Sequence, residues 1–335
     1  MVGRMGSTMG METTRTKIAI LGAGNMGSAL AHILALGGSP VSLWDFDAEV
    51  RHEIKHHRRN GRFLPGIILC PEIAVCPTAS ECVRDAELIV ICIPSVFVDS
   101  VLRPLIPSLR ENAVMLNVSK GFAGFSSEPI LVALKKLSGD HACVQLAGPA
   151  IANDFSKGQR AYVVMASPSD HASELAASCF TGTVFSCTTT TDLMGAAMGG
   201  ILKNIYAILL GAVSALEPDL RPNHQAAIIT ACISEMADLA TAVGGERSTL
   251  YGLAGLGDLL ATGYSEDSHN RRFGRMLVRR EEGGLPDRLP EGAAATTTAM
   301  TIARSKRMDL PLAGWVEKLI NGDSADLSGL LDIIG

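Results

Sequence analysis

No two cysteines in this chain are spaced C-x-x-C, and no cysteine or histidine set has the spacing of a metal site, although the sequence holds eight cysteines. That excludes a zinc ribbon or a thioredoxin-type motif. Single thiols with no secretory segment read as reduced cysteines in a cytoplasmic protein. Excess positive charge is also missing, since 29 Lys and Arg against 34 Asp and Glu leave a net −5. Nothing electrostatic therefore favours nucleic acid or an anionic membrane as partner. No uncharged run reaches transmembrane length, because Lys203 interrupts the longest apolar stretch. Repeats and low-complexity linkers are absent, and the terminal DIIG is not a peroxisomal signal. The first sixteen residues, MVGRMGSTMGMETTRT, have no apolar h-region and are expected to be a disordered leader.

What is present is a chain of 335 residues, 47% hydrophobic and 19% charged, long enough for two globular domains. KIAIL (17–21), PVSLWDF, ELIVICIP, AVMLNVSKG, VQLAGPA and AYVVMAS read as strands, with helical segments between them. The unbroken apolar run of ELIVICIP suits a central parallel strand covered on both faces. This alternation predicts an α/β domain over 17–192, a doubly wound sheet of the Rossmann type. From Met194 to about Gly244 the apolar period becomes helical, and the rest stays helix-rich, broken by glycine and proline clusters at 252–257 and 283–292. An all-helical substrate and dimerisation domain is therefore expected over 193–335.

Gly22-Ala23-Gly24-Asn25-Met26-Gly27 fits G-x-G-x-x-G between a strand and a helix. Such glycines allow the tight turn and let backbone approach a pyrophosphate at the helix N-terminus. Asp45 ends the second strand, where a carboxylate bonds a ribose 2′-hydroxyl and repels a 2′-phosphate. No arginine lies in WDFDAE, and Arg51 is the nearest that could reach. NAD is therefore expected in preference to NADP.

Four further residues suggest chemistry. Lys120 follows the strand AVMLNVS, at the sheet edge where open α/β folds bind ligands. Lys203 and Asn204 lie on the first helix of the second domain, and Asp258 lies in GLAGLGDLLATG. Hydride transfer to a carbonyl leaves an oxyanion, which a lysine can stabilise and protonate, with Asn204 as a neighbouring donor. Each has a plainer alternative. Lys203 could snorkel to the helix surface, Asp258 could cap a helix, and Lys120 could be a solvated loop lysine. His56-His57-Arg58-Arg59 reads as an exposed charged turn, not a metal site.

The stretches GAGNMGSALA, NGRFLPGIIL, VSKG, AGPAIA, LKNIYAILLGA, NHQAAIIT, EMADLA, GLAGLGDL, SHNRRFG, PEG and MDLPL together resemble the NAD(P)-dependent glycerol-3-phosphate dehydrogenase family. The resemblance runs from the glycine-rich loop almost to the C-terminus. It implies reversible reduction of dihydroxyacetone phosphate with Lys203 as proton donor and acceptor, in a cytoplasmic homodimer. It further implies substrate contacts from Lys120, Gly148, Asn204, Asp258, Ser268, His269 and Asn270. Phe46, Phe97, Lys120, Ala152, His269 and Glu291 fall where the family lines its cofactor site.

Three motifs depart from the family. Its SRN reads Ser268-His269-Asn270, its S-G-P-S/T reads Ala147-Gly148-Pro149-Ala150, and its T-R-G reads Thr230-Ala231-Cys232. A histidine mostly neutral near pH 7 thus replaces a permanent guanidinium fork, and Arg271 or Arg272 could compensate by a short slip. Two readings beside the family's own stay open here. One is a dehydrogenase for a related phosphorylated, phosphonylated or acidic 2-hydroxy compound. The other is a nucleotide-sensing protein without turnover, against which Lys120, Lys203, Asn204 and Asp258 together argue.

Overall fold

The computed structural model describes residues 15–123, 128–279, 289–324 and 326–334. The expected leader lies, but for its last two residues, outside the described residues, as does most of the cluster at 283–292.

The first part runs β1 (Ile18–Leu21), α1 (Asn25–Leu36), β2 (Val41–Trp44), α2 (Ala48–His57), β3 (Ala74–Val75), α3 (Ala79–Val83), β4 (Leu88–Ile91), α4 (Val98–Leu102) and β5 (Val114–Asn117). It continues through α5 (Ile130–Ser138), β6 (Cys143–Ala147), α6 (Ala152–Phe155), β7 (Ala161–Ala166), α7 (Asp170–Ser178) and β8 (Phe185–Thr190). Eight strands form one sheet in the order β3-β2-β1-β4-β5-β6-β7-β8. Side chains alternate between its faces as the pleat requires. Ile18, Ile20, Leu88 and Val90 enter one apolar cluster, while Ala19, Leu21, Ile89 and Ile91 enter another on the opposite face. Helices cover both faces, so the Rossmann-type doubly wound sheet expected from sequence is present.

One feature of the sheet differs from a uniformly parallel array. β7 is antiparallel to β6, and β8 is parallel to β7. Only the four-residue α6 lies between β6 and β7, too little helix to carry the chain back for a parallel return. The charged run at His56 also differs, because His56 and His57 form the last turn of α2 and the turn starts at Arg58, with φ of 53°.

The second part is helical: α8 (Leu193–Leu216), α9 (Pro222–Ala242), α10 (Arg247–Leu250), a π-helical turn (Leu253–Gly257), α11 (Asp258–Tyr264), α12 (His269–Arg279), α13 (Glu291–Lys306), α14 (Pro311–Ile320) and α15 (Leu327–Ile334). α8 begins cleanly because the Asp192 carboxylate accepts from Gly195 N at 2.8 Å, satisfying one orphan donor of the first turn. It is long and apolar enough to cross a membrane by length and composition, yet its apolar window is wholly buried inside the protein. Every residue from Gly195 to Val213 is buried, so α8 is the core around which the other helices pack. One carboxylate serves that core directly. Glu235 of α9 accepts from Leu312 N (2.6 Å) and Ala313 N (3.1 Å), capping α14, and from the Tyr206 hydroxyl (2.9 Å).

α12 lies against α8 with backbone close to backbone. A Cβ at Gly211 would overlap the Arg271 carbonyl oxygen, and one at Gly274 would overlap that of Ile208. This contact sets where the start of α12, Ser268 to Asn270, stands relative to Lys203 and Asn204. Gly274→Ala is therefore expected to destabilise the fold by about 1–3 kcal/mol, the usual cost of overpacking. Urea unfolding checks this, and an unchanged midpoint would show that α12 is free to shift.

Candidate functional site

The glycine-rich loop has a separate reason for each glycine. Gly22 has φ of 101°, and a Cβ there would lie 2.7 Å from the Cys92 carbonyl oxygen just beyond the neighbouring β4. A Cβ at Gly27 would overlap the Gly22 carbonyl oxygen, whereas at Gly24 it would meet nothing within 4 Å. The turn is thus pressed against the sheet on one side and open on the other. No side chain caps the N-terminus of α1, which leaves its first amide groups for an anion. Asn60 braces the loop from behind, donating to Ala23 O (2.7 Å) and Ser28 Oγ (2.8 Å).

Asp45 stands at the end of β2, where its carboxylate accepts from Ala23 N (2.5 Å) and Asp47 N (2.8 Å). A cavity of about 600 Å³ brings Gly22, Gly24, Asp45, Phe46, Phe97 and Glu291 together. Phe46 is 85% exposed and Phe97 53% exposed, and such open aromatic faces suit a planar ring. These features fit a dinucleotide. Met26 instead packs towards the sheet-domain core, leaving only its backbone at the loop. Arg51 does reach this region, donating to the backbone carbonyls of Asp45 (2.5 Å) and Phe46 (3.1 Å). Arg62 also lines the cavity and pairs with Asp47 at 3.3 Å.

The two lysines meet on one carboxylate. The Asp258 carboxylate accepts from Lys120 Nζ at 2.8 Å through one oxygen and from Lys203 Nζ through the other. Lys203 Nζ also donates to Thr262 Oγ1 at 2.7 Å. The Lys203 side chain is 8% exposed and that of Lys120 18%. Lys203 therefore does not snorkel, and Lys120 is not a solvated loop lysine. Nor is Asp258 an N-cap. It lies inside the first turn of α11, and its oxygens face side chains.

Local sequence explains the convergence. The glycines of GLAGLGD permit the π-helical turn, closed by Gly257 N on Gly252 O at 3.1 Å, which aims Asp258 inward. Gly199 on α8 admits the backbone of that turn, since a Cβ there would overlap the Ala254 carbonyl oxygen. Beside it, Gly200 faces the methylene stem of Lys120.

Electrostatics separates the two lysines. Burial, with the Lys120 charge close by, pushes Lys203 down to about 7 against the pull of Asp258. Burial also disfavours charge on Lys120, but Asp258 outweighs it and raises that lysine. Burial opposes ionisation of Asp258 too, and the two ammonium groups outweigh it and hold the carboxyl below its ordinary value.

Asn204 and Asn270 are interlocked. Asn270 Nδ2 donates to Asn204 Oδ1 at 3.0 Å, and Asn270 Oδ1 accepts from Gly292 N at 2.9 Å, next to Glu291. Ser268 caps α12, its hydroxyl accepting from Arg271 N at 3.2 Å. Ser268 and His269 line two adjoining cavities of about 730 and 640 Å³; Asn270 and Glu291 line the first, Asn25 and Ala152 the second. Gly148 lies at the end of β6 with φ of 110°, and a Cβ there would stand 2.7 Å from Tyr162 O. Burial and the Arg272 charge lower the His269 imidazole, against Asp267.

Sequence reasoning missed three participants. Thr262 follows Asp258 by one helical turn, a spacing that places both on one face. Asn153 and Asp267 form a polar bridge with Asn25: Asn25 Nδ2 donates to Asn153 Oδ1 (2.9 Å), and Asn153 Nδ2 to Asp267 Oδ2 (3.0 Å). No local pattern announces that bridge.

Models of the N-terminal and C-terminal parts of NAD-dependent glycerol-3-phosphate dehydrogenase match residues 17–173 and 192–327. The chain belongs to that family. It is 33% identical over 329 residues to a glycerol-3-phosphate dehydrogenase (NAD(P)+) of Stenotrophomonas maltophilia, covering 96% of this chain and 95% of that one. A relative of the same name from Rhizobium etli is 32% identical over 308 residues, covering 91% and 93%. The crystal structure of glycerol-3-phosphate dehydrogenase from Coxiella burnetii superposes with a TM-score of 0.85 at 27% identity, over 96% of this chain and 99% of that one.

The dehydrogenase fold thus holds a buried carboxylate between two lysines, and its removal has a calculable direction. In Asp258→Asn both lysines lose the group that favours their charged forms, so Lys203 should fall further below about 7. A ketone reduction that draws its proton from Lys203 should then lose its activity at lower pH than in the wild type. A pH–rate profile with its falling limb unmoved would separate Asp258 from Lys203.

Proposed function

We propose that this chain is an NAD-dependent glycerol-3-phosphate dehydrogenase, interconverting dihydroxyacetone phosphate and glycerol 3-phosphate. The observation that carries the reading is Lys203, a buried amine brought to about 7 and held by Asp258 and Thr262 at the cleft. A general acid and base works best with a pKa near the working pH. Family membership and the 33% identity to a named glycerol-3-phosphate dehydrogenase support the same reading.

The open side of the glycine turn and the first amides of α1 would hold the pyrophosphate of the cofactor, and Asp45 would take its ribose. The hydride for the ketone carbon would come from NADH held there. Lys203 Nζ gives its proton to the carbonyl oxygen as that oxygen becomes an alkoxide, and the Lys120 ammonium favours the developing negative charge. Asp258 holds both amines in place. In the oxidative direction neutral Lys203 takes the hydroxyl proton, so that direction gains as pH rises through about 7. The enzyme is proposed to act as a homodimer in the cytoplasm, in keeping with its net charge of −5 and unpaired cysteines.

An assay of NADH oxidation over a panel of phosphorylated and acidic ketones tests the reading, with dihydroxyacetone phosphate expected as the best substrate. Lys203→Ala should reduce turnover by about 10²–10⁴ while NADH binding stays nearly intact. Turnover within threefold of wild type would remove Lys203 from the chemistry.

Cofactor choice turns on Asp45. NADH should be used more efficiently than NADPH, and Asp45→Ser should narrow the gap by relieving repulsion of a 2′-phosphate. Equal use of both cofactors by the native chain would mean that Arg51 or Arg62 already neutralises that phosphate.

A further inference from the structure

The cations around the start of α12 are not equivalent. Position 272 follows 269 by three residues and shares its helix face, whereas 271 is turned to the far side. Arg271 pairs with Glu266, its side chain is only 11% exposed, and it lines a separate small cavity with Leu210, Ser214 and Tyr264. Arg275 takes the other oxygen of Glu266 at 2.6 Å. Across the cleft Arg62 is paired with Asp47. Arg272 has no carboxylate partner among the described residues, and it lines both of the cavities that Ser268 and His269 line.

The contact of its guanidinium with His269 is instructive. Arg272 Nη2 lies 3.1 Å from His269 Nδ1. A guanidinium can only donate, so Nδ1 accepts and the imidazole proton sits on Nε2. The histidine thereby orients the guanidinium, keeps a donor of its own, and leaves the remaining Arg272 donors to the cavity. Beside them stand the hydroxyls of Ser268 and Thr262. Asp267 and Glu291 also line the first cavity; Asn153 Nδ2 donates to the Asp267 carboxylate, which fixes its direction and leaves its charge in place.

We propose that Arg272, oriented by His269, binds the phosphoryl group of the substrate in this chain. The proposal rests on the dehydrogenase reading above and assigns its anion-recognising residue. The group recognised is a phosphate, which the substrate or the cofactor pyrophosphate could supply, so both are tested.

Four proteins decide the matter: wild type, Arg272→Ala, Arg272→Lys, and the exchange His269→Arg with Arg272→His. Glycerol 3-phosphate binding is measured by calorimetry, NADH binding by fluorescence titration, and kcat/KM for dihydroxyacetone phosphate by NADH oxidation. Arg272→Ala should weaken glycerol 3-phosphate binding and lower kcat/KM by about 10- to 150-fold, the range for lost charge-assisted hydrogen bonds. Its NADH affinity and thermal midpoint should stay close to wild type. Lysine should restore part of the loss, because it keeps the charge without the fork. The exchange should recover about tenfold over Arg272→Ala, if returning a guanidinium to the cavity restores about one decade of binding. Unchanged glycerol 3-phosphate binding in Arg272→Ala would overturn the assignment, and so would an equal loss of NADH affinity. A wild type that binds glycerol 3-phosphate but turns nothing over would sink the dehydrogenase reading alone, and the binding data would still decide Arg272.

Discussion

One buried carboxylate shared by two lysines is the constraint on which the rest of the cleft depends. Asp258 is 2% exposed, and an isolated charge at that depth would neutralise rather than stay ionised. Two ammonium groups within hydrogen-bonding reach keep it charged. The reverse holds less completely, since one negative charge cannot fully compensate two positive ones. Lys120, with more solvent access, keeps its proton, and Lys203 is left near the point where it can give one up or take one back. The asymmetry follows from burial and proximity alone. It needs no special chemistry in Lys203 itself.

The three side chains come from β5's following loop, α8 and α11, so their meeting fixes how the sheet and the helices dock. Glycines on α8 make this docking close. Gly199 receives the backbone of the π-helical turn and Gly200 the Lys120 stem, while further along Gly211 receives the backbone of α12. A larger residue at Gly199 or Gly211 would push a neighbouring element outward. The apolar length of α8 and its glycine face are therefore two parts of one design, a rigid core helix that brings distant segments within hydrogen-bonding distance.

Much of this was legible in the sequence, and the limits have physical causes. The alternation in KIAIL, the unbroken apolar run of ELIVICIP, and the glycines between β1 and α1 report local backbone geometry, which neighbouring residues determine. The same is true of Asp45 at the end of β2. The orientation of β7 was not legible, because antiparallel pairing is decided by how far the connection after β6 reaches, not by the strand's own pattern. The fates of Lys120, Lys203 and Asp258 were open for a related reason. Lys120 lies 138 positions from Asp258, and Lys203 lies 55 from it. No pattern at such separation distinguishes a snorkelling lysine from a buried one. Thr262 was within reach, standing one turn beyond Asp258, whereas the bridge through Asn25, Asn153 and Asp267 joins segments that only the fold brings together.

The imidazole at position 269 shapes what the cleft can hold, and the surrounding charges show how. An imidazole lowered by burial and by Arg272 is held towards its uncharged form. In that form it adds nothing to the attraction for an anion, yet it removes nothing from its neighbour, because an uncharged acceptor at Nδ1 orients Arg272 without neutralising it. Glu266 does the opposite to Arg271 and Arg275, pairing with both and cancelling much of their field. A carboxylate at 269 would have silenced Arg272 in the same way. A guanidinium there would have stood against Arg272 on the same helix face, a like-charge contact tolerable only with an anion between them. A neutral imidazole avoids both outcomes. The site thus combines a guanidinium that has no carboxylate partner among the described residues, a lysine pair shared by Asp258 and the interlocked Asn204 and Asn270. In a protein whose overall charge is negative, that guanidinium, rather than any net positive charge of the cleft, is what would hold the phosphoryl group of a small ketone.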